Sequence, residues 1–510
     1  MINQLKAGAL LSYVVLLTNS VISILYTPIM LNLLGQSEYG LYSLANSATG
    51  YIGVLNFGLG NAVIRYTAKY KALNDEESCS KIYGMFFIMY AVLGVIAILA
   101  GSILTFNSGS IFTNSLSGYE LNKLKILMLI VTLNLSLGIG LGLFSVIVLA
   151  HEKFIFQKLI VILGSIISPL IMLPLLLMGY GTIAMVILTT IINLVTILFN
   201  ALYCFRILKI KIKFKKIEGP LLKEVIVFSS YIFVNLIISK LYDTTDQVIL
   251  GIYSGTVAIS IYAIGTMFTG YFSGFASAIS NVFLSKVTRM TTKEASVEEL
   301  SNLFIRVGRV QYIILSLALT GFIIFGKEFI NLWIGTEYEH SYFIALIILV
   351  PMIVTLIQGM GGVILQAKNM QRFKTFINAT VAVGNVFLSI LFVQWWGALG
   401  AAIGTAIAFF IGNILIINIY YWKVIQIDIP RFWKNIILMS FPFAISLLFG
   451  LTVNEFVLAN SWLLFFIKIA LFTLGFLLLM WSTAMNRYEK NLFILPINHY
   501  LKKRLQGTSI

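Results

Sequence analysis

The sequence predicts an all-α polytopic membrane protein of about fourteen transmembrane helices. Two parallel six-span halves are followed by two further C-terminal helices. Three observations carry this: the composition, the length of the apolar runs, and the placement of charge. Of 510 residues, 59% are hydrophobic and only 11% are charged, with a mean hydropathy of +0.96; soluble domains carry about 25% charged residues. Apolar runs long enough for a helix to cross a bilayer, more than about 18 residues, recur along the whole chain. A membrane barrel would instead alternate over strands of about ten residues.

The runs divide into spans at approximately 8–34, 39–64, 82–106, 124–150, 154–178, 181–205, 224–250, 257–284, 301–325, 342–366, 373–395, 398–422, 435–453 and 462–485. The net charge of +16 is placed as membrane topology demands, not as a nucleic-acid-binding patch. With the N-terminus in the cytoplasm, 30 of the 35 Lys and Arg lie in inner loops and span ends, two lie inside spans (Lys240, Lys468) and three lie outside (Lys123, Lys125, Lys327). This positive-inside pattern puts both termini in the cytoplasm. The first apolar run is long and has no small-x-small cleavage site after it, so it reads as a span and not a removable leader. Cys79 and Cys204 fall on the cytoplasmic side, where no disulfide is expected, and two cysteines make no metal site.

A basic stretch, "RILKIKIKFKKIEGPLLK" at 206–223, separates the halves and reads as an amphipathic linker and topology determinant. Shifting the chain by 220 residues aligns Gly35 with Gly255, Tyr42 with Tyr262, the "TGY" at 49–51 with that at 269–271, and Asn61 with Asn281. A shift of 218 aligns Gly179 with Gly397, Ala184 with Ala402, Asn200 with Asn418 and Tyr203 with Tyr421. Both halves start from the cytoplasm, so the repeat is parallel, an arrangement that builds transporters with the substrate path at the repeat interface. The expected organisation is an N-lobe at 1–205, the linker at 206–223, a C-lobe at 224–422, extra spans within 423–485 and a cytoplasmic tail at 486–510. The longest outer loops hold about 16 residues each, too few for a soluble domain.

The seventh span contains "SKLYDTTDQVILG" at 239–251. An ionised side chain at the bilayer centre costs about 2.5–3.5 kcal/mol even on an insertion scale. At 100° per residue, Asn235, Ser239, Lys240, Asp243, Asp246 and Gln247 share an arc of roughly 140°. Val234, Ile237, Ile238, Leu241, Val248 and Ile249 occupy the other side. The polar face is expected to line a cavity, with Lys240 and Asp243 close enough to pair. Asp243 and Asp246 are the candidate sites for a coupling proton or cation; the plainer alternative is a structural ion pair.

Span 2 carries Asn46, Asn56, Asn61 and Arg65 among four glycines. Arg65 reads as a snorkelling cation or as an anion contact, since Arg grips phosphate through two parallel hydrogen bonds. Arg306 and Arg309 open span 9 at the same level, and with Lys368, Arg372 and Lys374 they suggest a basic cytoplasmic entrance. The candidate substrate-binding set is therefore Lys240, Arg65, Asn235, Gln247, Asn46, Asn61, Arg306 and Arg309. Enzyme signatures are missing: His151, His340 and His499 do not recur at ligand spacing, and there is no G-x-x-x-x-G-K-[ST] phosphate loop.

The stretch "TPIMLNLLGQSEYGLYSLANSATGYIGVLNFGLGNAVIRY", 27–66, resembles the first two spans of the Wzx-type oligosaccharide flippases. It holds a span-1 proline (Pro28), the turn Leu34–Gly35 to Tyr39–Gly40, then Gly58–Leu59–Gly60 and Arg65. "DTTDQVILGIYSGTVAISIYAIG", 243–265, resembles that family's seventh-to-eighth-span region. Gln36 and Ser37 stand where the family's turn often has Pro and acidic residues, and Asn32 and Leu33 stand where a basic residue is often found.

The family belongs to the multidrug/oligosaccharidyl-lipid/polysaccharide exporter superfamily. The resemblance implies two six-helix lobes in a V around a central cavity, alternating access, and no enzymatic activity. It implies an undecaprenyl-diphosphate-linked oligosaccharide as substrate, moved from the inner to the outer leaflet of a bacterial plasma membrane for cell-envelope polysaccharide assembly. Coupling to H+, Na+ or the membrane potential replaces any cofactor, and other polysaccharide-assembly proteins are the expected protein partners. The alternatives are a cation-coupled multidrug antiporter of the same architecture and a membrane-embedded glycan polymerase or acyltransferase.

Overall fold

The computed structural model describes residues 4–214, 219–456, 461–492 and 494. Of the predicted linker, 215–218 lie outside the described residues, as does most of the predicted tail. The α-helices in chain order are α1 (Gln4–Gly50), α2 (Leu59–Ala72), α3 (Glu76–Phe112), α4 (Gly118–Gly140), α5 (Leu143–Ala150), α6 (Phe154–Leu177) and α7 (Thr182–Leu202). They continue as α8 (Gly219–Tyr253), α9 (Thr256–Val282), α10 (Leu284–Thr292), α11 (Val297–Ile334), α12 (His340–Ile357) and α13 (Gly359–Ala367). The last are α14 (Gln371–Phe409), α15 (Ile417–Lys423), α16 (Ile429–Phe456) and α17 (Trp462–Leu479).

The chain is an all-α membrane protein. Among the described residues, twelve helical stretches are long and apolar enough to cross a membrane, two fewer than the sequence predicts. The difference lies in two places. Spans 8–34 and 39–64 fall within one stretch of 63 residues, and spans 373–395 and 398–422 within one of 53. At 1.5 Å per residue these are about 95 and 80 Å long, against a hydrocarbon core of about 30 Å. Each is interrupted by a glycine off the helical conformation: Gly35 in the first (φ 77°, ψ 168°) and Gly397 in the second (φ 54°, ψ −130°). The first stretch breaks again through a 3-10 turn, Tyr51–Asn56, into left-handed Phe57 and Gly58.

The glycines that align between the halves all have positive φ. Gly35 and Gly255 have φ of 77° and 82°, and Gly179 and Gly397 have φ of 84° and 54°. Only a residue without Cβ takes up such values freely. Asn200 and Asn418 also match in detail. Each donates Nδ2 to the carbonyl four residues back, at 2.8 and 2.7 Å, and each Oδ1 accepts from a glutamine, Gln157 at 2.6 Å and Gln358 at 2.8 Å.

The chain divides into two compact units: Met1–Ile264 with Ala382–Thr405, and Gly265–Val381 with Ala406–Ile510. In the first, α2, α3 and α5 bury Tyr66, Phe86, Tyr90, Leu143 and Ile147. α3 and α4 cross where Gly94 meets Gly140: a Cβ on Gly94 would lie 2.9 Å from the Gly140 Cα, so only small residues allow the approach. α1 and α8 pack where a Cβ on Gly251 would meet Leu44 at 2.6 Å. Glu120, which completes a capping box at the start of α4, also accepts hydroxyls from Ser37 (2.9 Å) and Thr256 (3.0 Å), tying α1, α4 and α9 together.

In the second unit α11 packs on α12, α16 and α17, with Phe304 against Phe432 and Phe325 against Phe472 (ring centroids 4.9 and 5.6 Å apart). Lys468, the cation inside the last span, is 1% exposed. Its ammonium donates to Glu328 on α11 and Asn454 on α16, both at 3.0 Å, so its burial is compensated by a partner charge and a carbonyl.

Candidate functional site

A cavity of about 570 Å³ opens in the first unit between α1, α4 and α8. α1 contributes Tyr39, Tyr42, Ser43, Asn46 and Ser47. α8 contributes Lys240, Asp243, Thr244 and Gln247, and α4 an apolar strip of Val131 and Leu135. One wall thus comes from the first predicted half and another from the second. The polar face drawn on the seventh span is a real surface over Lys240–Gln247, and it faces a second polar face on α1. Ser47 Oγ donates to Gln247 Oε1 at 2.5 Å, and the hydroxyls of Tyr51 and Thr245 lie 2.5 Å apart.

Lys240 reaches across to α1. A Cβ on Gly50 would lie 3.5 Å from its Nζ, at ordinary van der Waals contact, so the ammonium rests against the α1 backbone. The expected Lys240–Asp243 pair does not form: Asp243 Oδ2 accepts instead from Ser239 Oγ, one turn back, at 3.2 Å. Among the described residues no ion pair joins Lys240 to any carboxylate. The cavity therefore presents one cation outside any ion pair and one carboxylate, Asp243, among carboxamides, hydroxyls and phenols.

Asp246 points elsewhere. It is 3% exposed, and its Oδ2 accepts from the Tyr262 hydroxyl on α9 and from Thr405 Oγ1 at 2.7 Å. Thr405 and Ser389, both from α14, also stand 3.3 and 3.1 Å from Asn385 Oδ1. Asp246 Oδ1 and Asn385 Nδ2 are buried without a hydrogen-bond partner. An orphaned carboxylate oxygen beside hydroxyl and carboxamide oxygens is a donor set suited to a proton or a hard monovalent cation. Tyr262 enters the sequence reading only as the counterpart of Tyr42, and Asn385, Ser389 and Thr405 carry no local signal there; only folding gathers the four around Asp246.

The other predicted residues are dispersed. Of the set, Asn46 and Gln247 join Lys240 and Asp243 at the cavity, while Asn61 and Asn235 lie on exposed parts of α2 and α8. Arg65 is 54% exposed, 3.8 Å from Glu224 and over the Phe228 ring. Arg306 lies over the Tyr488 ring, 4.3 Å from its centroid. Arg309, expected at a basic entrance, is buried in the second unit. Its Nε and Nη2 donate to the two oxygens of Glu489 at 2.6 and 3.0 Å, and Nη2 also reaches the Ala484 carbonyl at 2.8 Å. A guanidinium so occupied offers no open contact.

A family model described as "Polysaccharide biosynthesis protein" matches residues 5–284, which hold both walls of the cavity. The chain belongs to the polysaccharide biosynthesis protein family. Over 207 residues it is 21% identical to the probable low-salt glycan biosynthesis flippase Agl15 of Haloferax volcanii, covering 41% of this chain and 44% of the relative. The match thus spans less than half of that relative's length.

Among solved structures, this member of the family is similar to the lipid II flippase MurJ in an inward closed conformation, with a TM-score of 0.72 and 16% identity over 96% of this chain and 99% of that one. It is also similar to an inward-facing multidrug resistance MATE family transporter of the MOP superfamily, with a TM-score of 0.62 and 16% identity over 81% and 99% of the two chains. At such identity the likeness establishes the fold: a multi-pass MurJ- and MATE-like membrane protein.

Proposed function

We propose that this protein flips a polyprenyl-diphosphate-linked oligosaccharide from the inner to the outer leaflet of a bacterial plasma membrane by alternating access, without enzymatic chemistry. The observation that carries the reading is Lys240, an ammonium outside any ion pair among the described residues, in a cavity otherwise lined by neutral groups and one carboxylate. A diphosphate needs a cation in a site shielded from water, and sugar hydroxyls need carboxamides, hydroxyls and aromatic faces. Asn46, Gln247, Ser43, Ser47, Tyr39 and Tyr42 supply these. The relative's name and the MurJ-like fold support a lipid-linked glycan as cargo.

In this reading the chain crosses the membrane fourteen times, because Gly35 and Gly397 each divide one long helical stretch into two crossings. Residues 1–205 and 224–422 form two six-helix lobes, 206–223 link them, 423–485 hold the two extra spans, and both termini are cytoplasmic. Asp246 with Thr405, Asn385 and Ser389 is the coupling site for a proton or Na+. Arg65, Asn61, Asn235 and Arg306 act on the substrate's approach.

The test is leaflet exposure of lipid-linked oligosaccharide in cells depleted of this protein. Inner-leaflet accumulation rescued by wild type but not by Lys240→Ala is the expected result. Normal outer-leaflet exposure in a strain lacking any redundant flippase overturns the proposal. A cation-coupled multidrug antiporter is the second reading, favoured by Asp243 at the same cavity; it requires depletion to change resistance to cationic drugs.

A further inference from the structure

A second cavity of the first unit, about 370 Å³, shares no lining residue with the Lys240 cavity. It lies where the α2–α3 turn meets the segment after α7. Lys71 closes one side, Lys209 and Lys211 another, and His151 a third. Lys153 stands near enough to act on His151 together with Lys71: burial foremost, then these two charges, hold the imidazole pKa below its ordinary value, against an opposing hydrogen bond to the Ile147 carbonyl. Among the described residues none of Lys71, Lys153, Lys209 and Lys211 makes an ion pair. Three carboxylates are close. Asp75 is engaged in capping α3 through the Ser78 amide at 2.9 Å, Glu76 shares the lining, and Glu152 adjoins Lys71. The Tyr83 hydroxyl, on a residue 3% exposed that lines the same cavity, meets no partner at hydrogen-bond geometry.

The basic segment is laid directly on α3. Lys213 N donates to the Ser80 carbonyl at 3.0 Å, and a Cβ on Gly84 would fall 2.2 Å from the Lys213 oxygen. Ile210 N donates to the Cys204 carbonyl at 3.1 Å. Lys71, Lys209 and Lys211 line one cavity without ion pairs among the described residues, and an anion seated in it is attracted by all three. The volume is within the range of small-molecule sites, enough for a phosphate bearing a small polar substituent.

We propose that this cavity binds a phosphate-bearing anion through Lys71, Lys209 and Lys211, and that occupancy holds the 208–214 segment on α3. The phosphate belongs either to the headgroup of an anionic phospholipid or to a soluble ion, and the test separates the two. Hydrogen exchange over 208–214 and 71–83 is measured on the full chain in three nanodisc preparations: phosphatidylcholine alone, phosphatidylcholine with phosphatidylglycerol, and phosphatidylcholine with added inorganic phosphate.

Exchange slowed by about five-fold or more is expected in at least one anion-containing arm. Slowing with phosphatidylglycerol alone assigns a lipid headgroup, slowing with phosphate alone a soluble anion, and slowing in both a site for the phosphate group itself. Exchange unchanged in both arms overturns the proposal. Lys71→Gln, Lys209→Gln and Lys211→Gln combined are expected to abolish the protection, and the three Arg replacements to retain it. Protection that persists in the glutamine variant belongs to bulk membrane charge and also overturns it. The readout is binding, so it stands or falls separately from flipping.

Discussion

Thr405 donates its hydroxyl to Asp246 at 2.7 Å across 159 residues of sequence. The bond leaves the other carboxylate oxygen, Oδ1, buried and unpartnered. A buried oxygen in that state is costly unless a proton or cation takes it.

If the coupling ion binds there, Asp246→Asn removes the dependence of flipping on a Na+ or proton gradient in proteoliposomes. Thr405→Val, which deletes one oxygen donor, weakens the apparent ion affinity by about ten-fold, the worth of roughly one hydrogen bond to a charged group. Unchanged gradient dependence in both variants places the coupling ion elsewhere.

Lys240→Ala separates function from stability. No ion pair is lost with the ammonium, so thermal unfolding in detergent is expected to stay close to wild type. Binding of a polyprenyl-diphosphate glycan is expected to weaken by about ten- to one-hundred-fold, the range for a hydrogen bond to a charged group, and Lys240→Arg to keep most of the affinity. Equal binding by all three proteins would make Lys240 part of the scaffold.

Arg309 and Glu489 give the opposite pattern. Their side chains are 10% and 1% exposed. Breaking such a pair from one side costs about 3–5 kcal/mol, because a buried charge is left alone. Arg309→Ala and Glu489→Ala are each expected to lower the melting temperature sharply. Arg309→Met with Glu489→Leu, which removes both charges, is expected to recover much of the loss. A single variant that melts like wild type would show the pair to be solvated.

Gly35 and Gly53 provide a paired test of backbone and packing. Gly35 sits at φ 77°, ψ 168°, a region essentially closed to residues with a Cβ, and Gly35→Ala is expected to cost about 1–3 kcal/mol. Gly53 has a negative φ and nothing within 4 Å of an added Cβ, so Gly53→Ala is expected to melt within experimental error of wild type.

Much of the architecture was legible in the chain because a bilayer imposes local rules. Helix length and helical class follow from the apolar runs. The glycines aligned in the sequence, Gly35 with Gly255 and Gly179 with Gly397, all have positive φ, and glycine marks a backbone conformation that other residues avoid. The twelve-against-fourteen difference arises where a helix turns at one glycine, Gly35 or Gly397, rather than through a loop. The polar face of α8 could be drawn from 3.6-residue periodicity alone, and Lys240, Asp243 and Gln247 do line one cavity with Asn46.

Sequence alone determined that this is a multi-spanning helical membrane protein with polar groups concentrated on one face of α8, since periodicity and hydropathy are properties of consecutive residues. It did not separate Asp243 from Asp246, neighbours on one drawn face. Tertiary structure decided that Asp243 faces the cavity while Asp246 is enclosed by Tyr262, Thr405 and, through Thr405, Asn385. It likewise decided that Lys240 stays unpaired while Arg309 is taken up by Glu489. A charge's role depends on which partner reaches it first, and those partners lie 16, 159 and 180 residues away, beyond any local pattern.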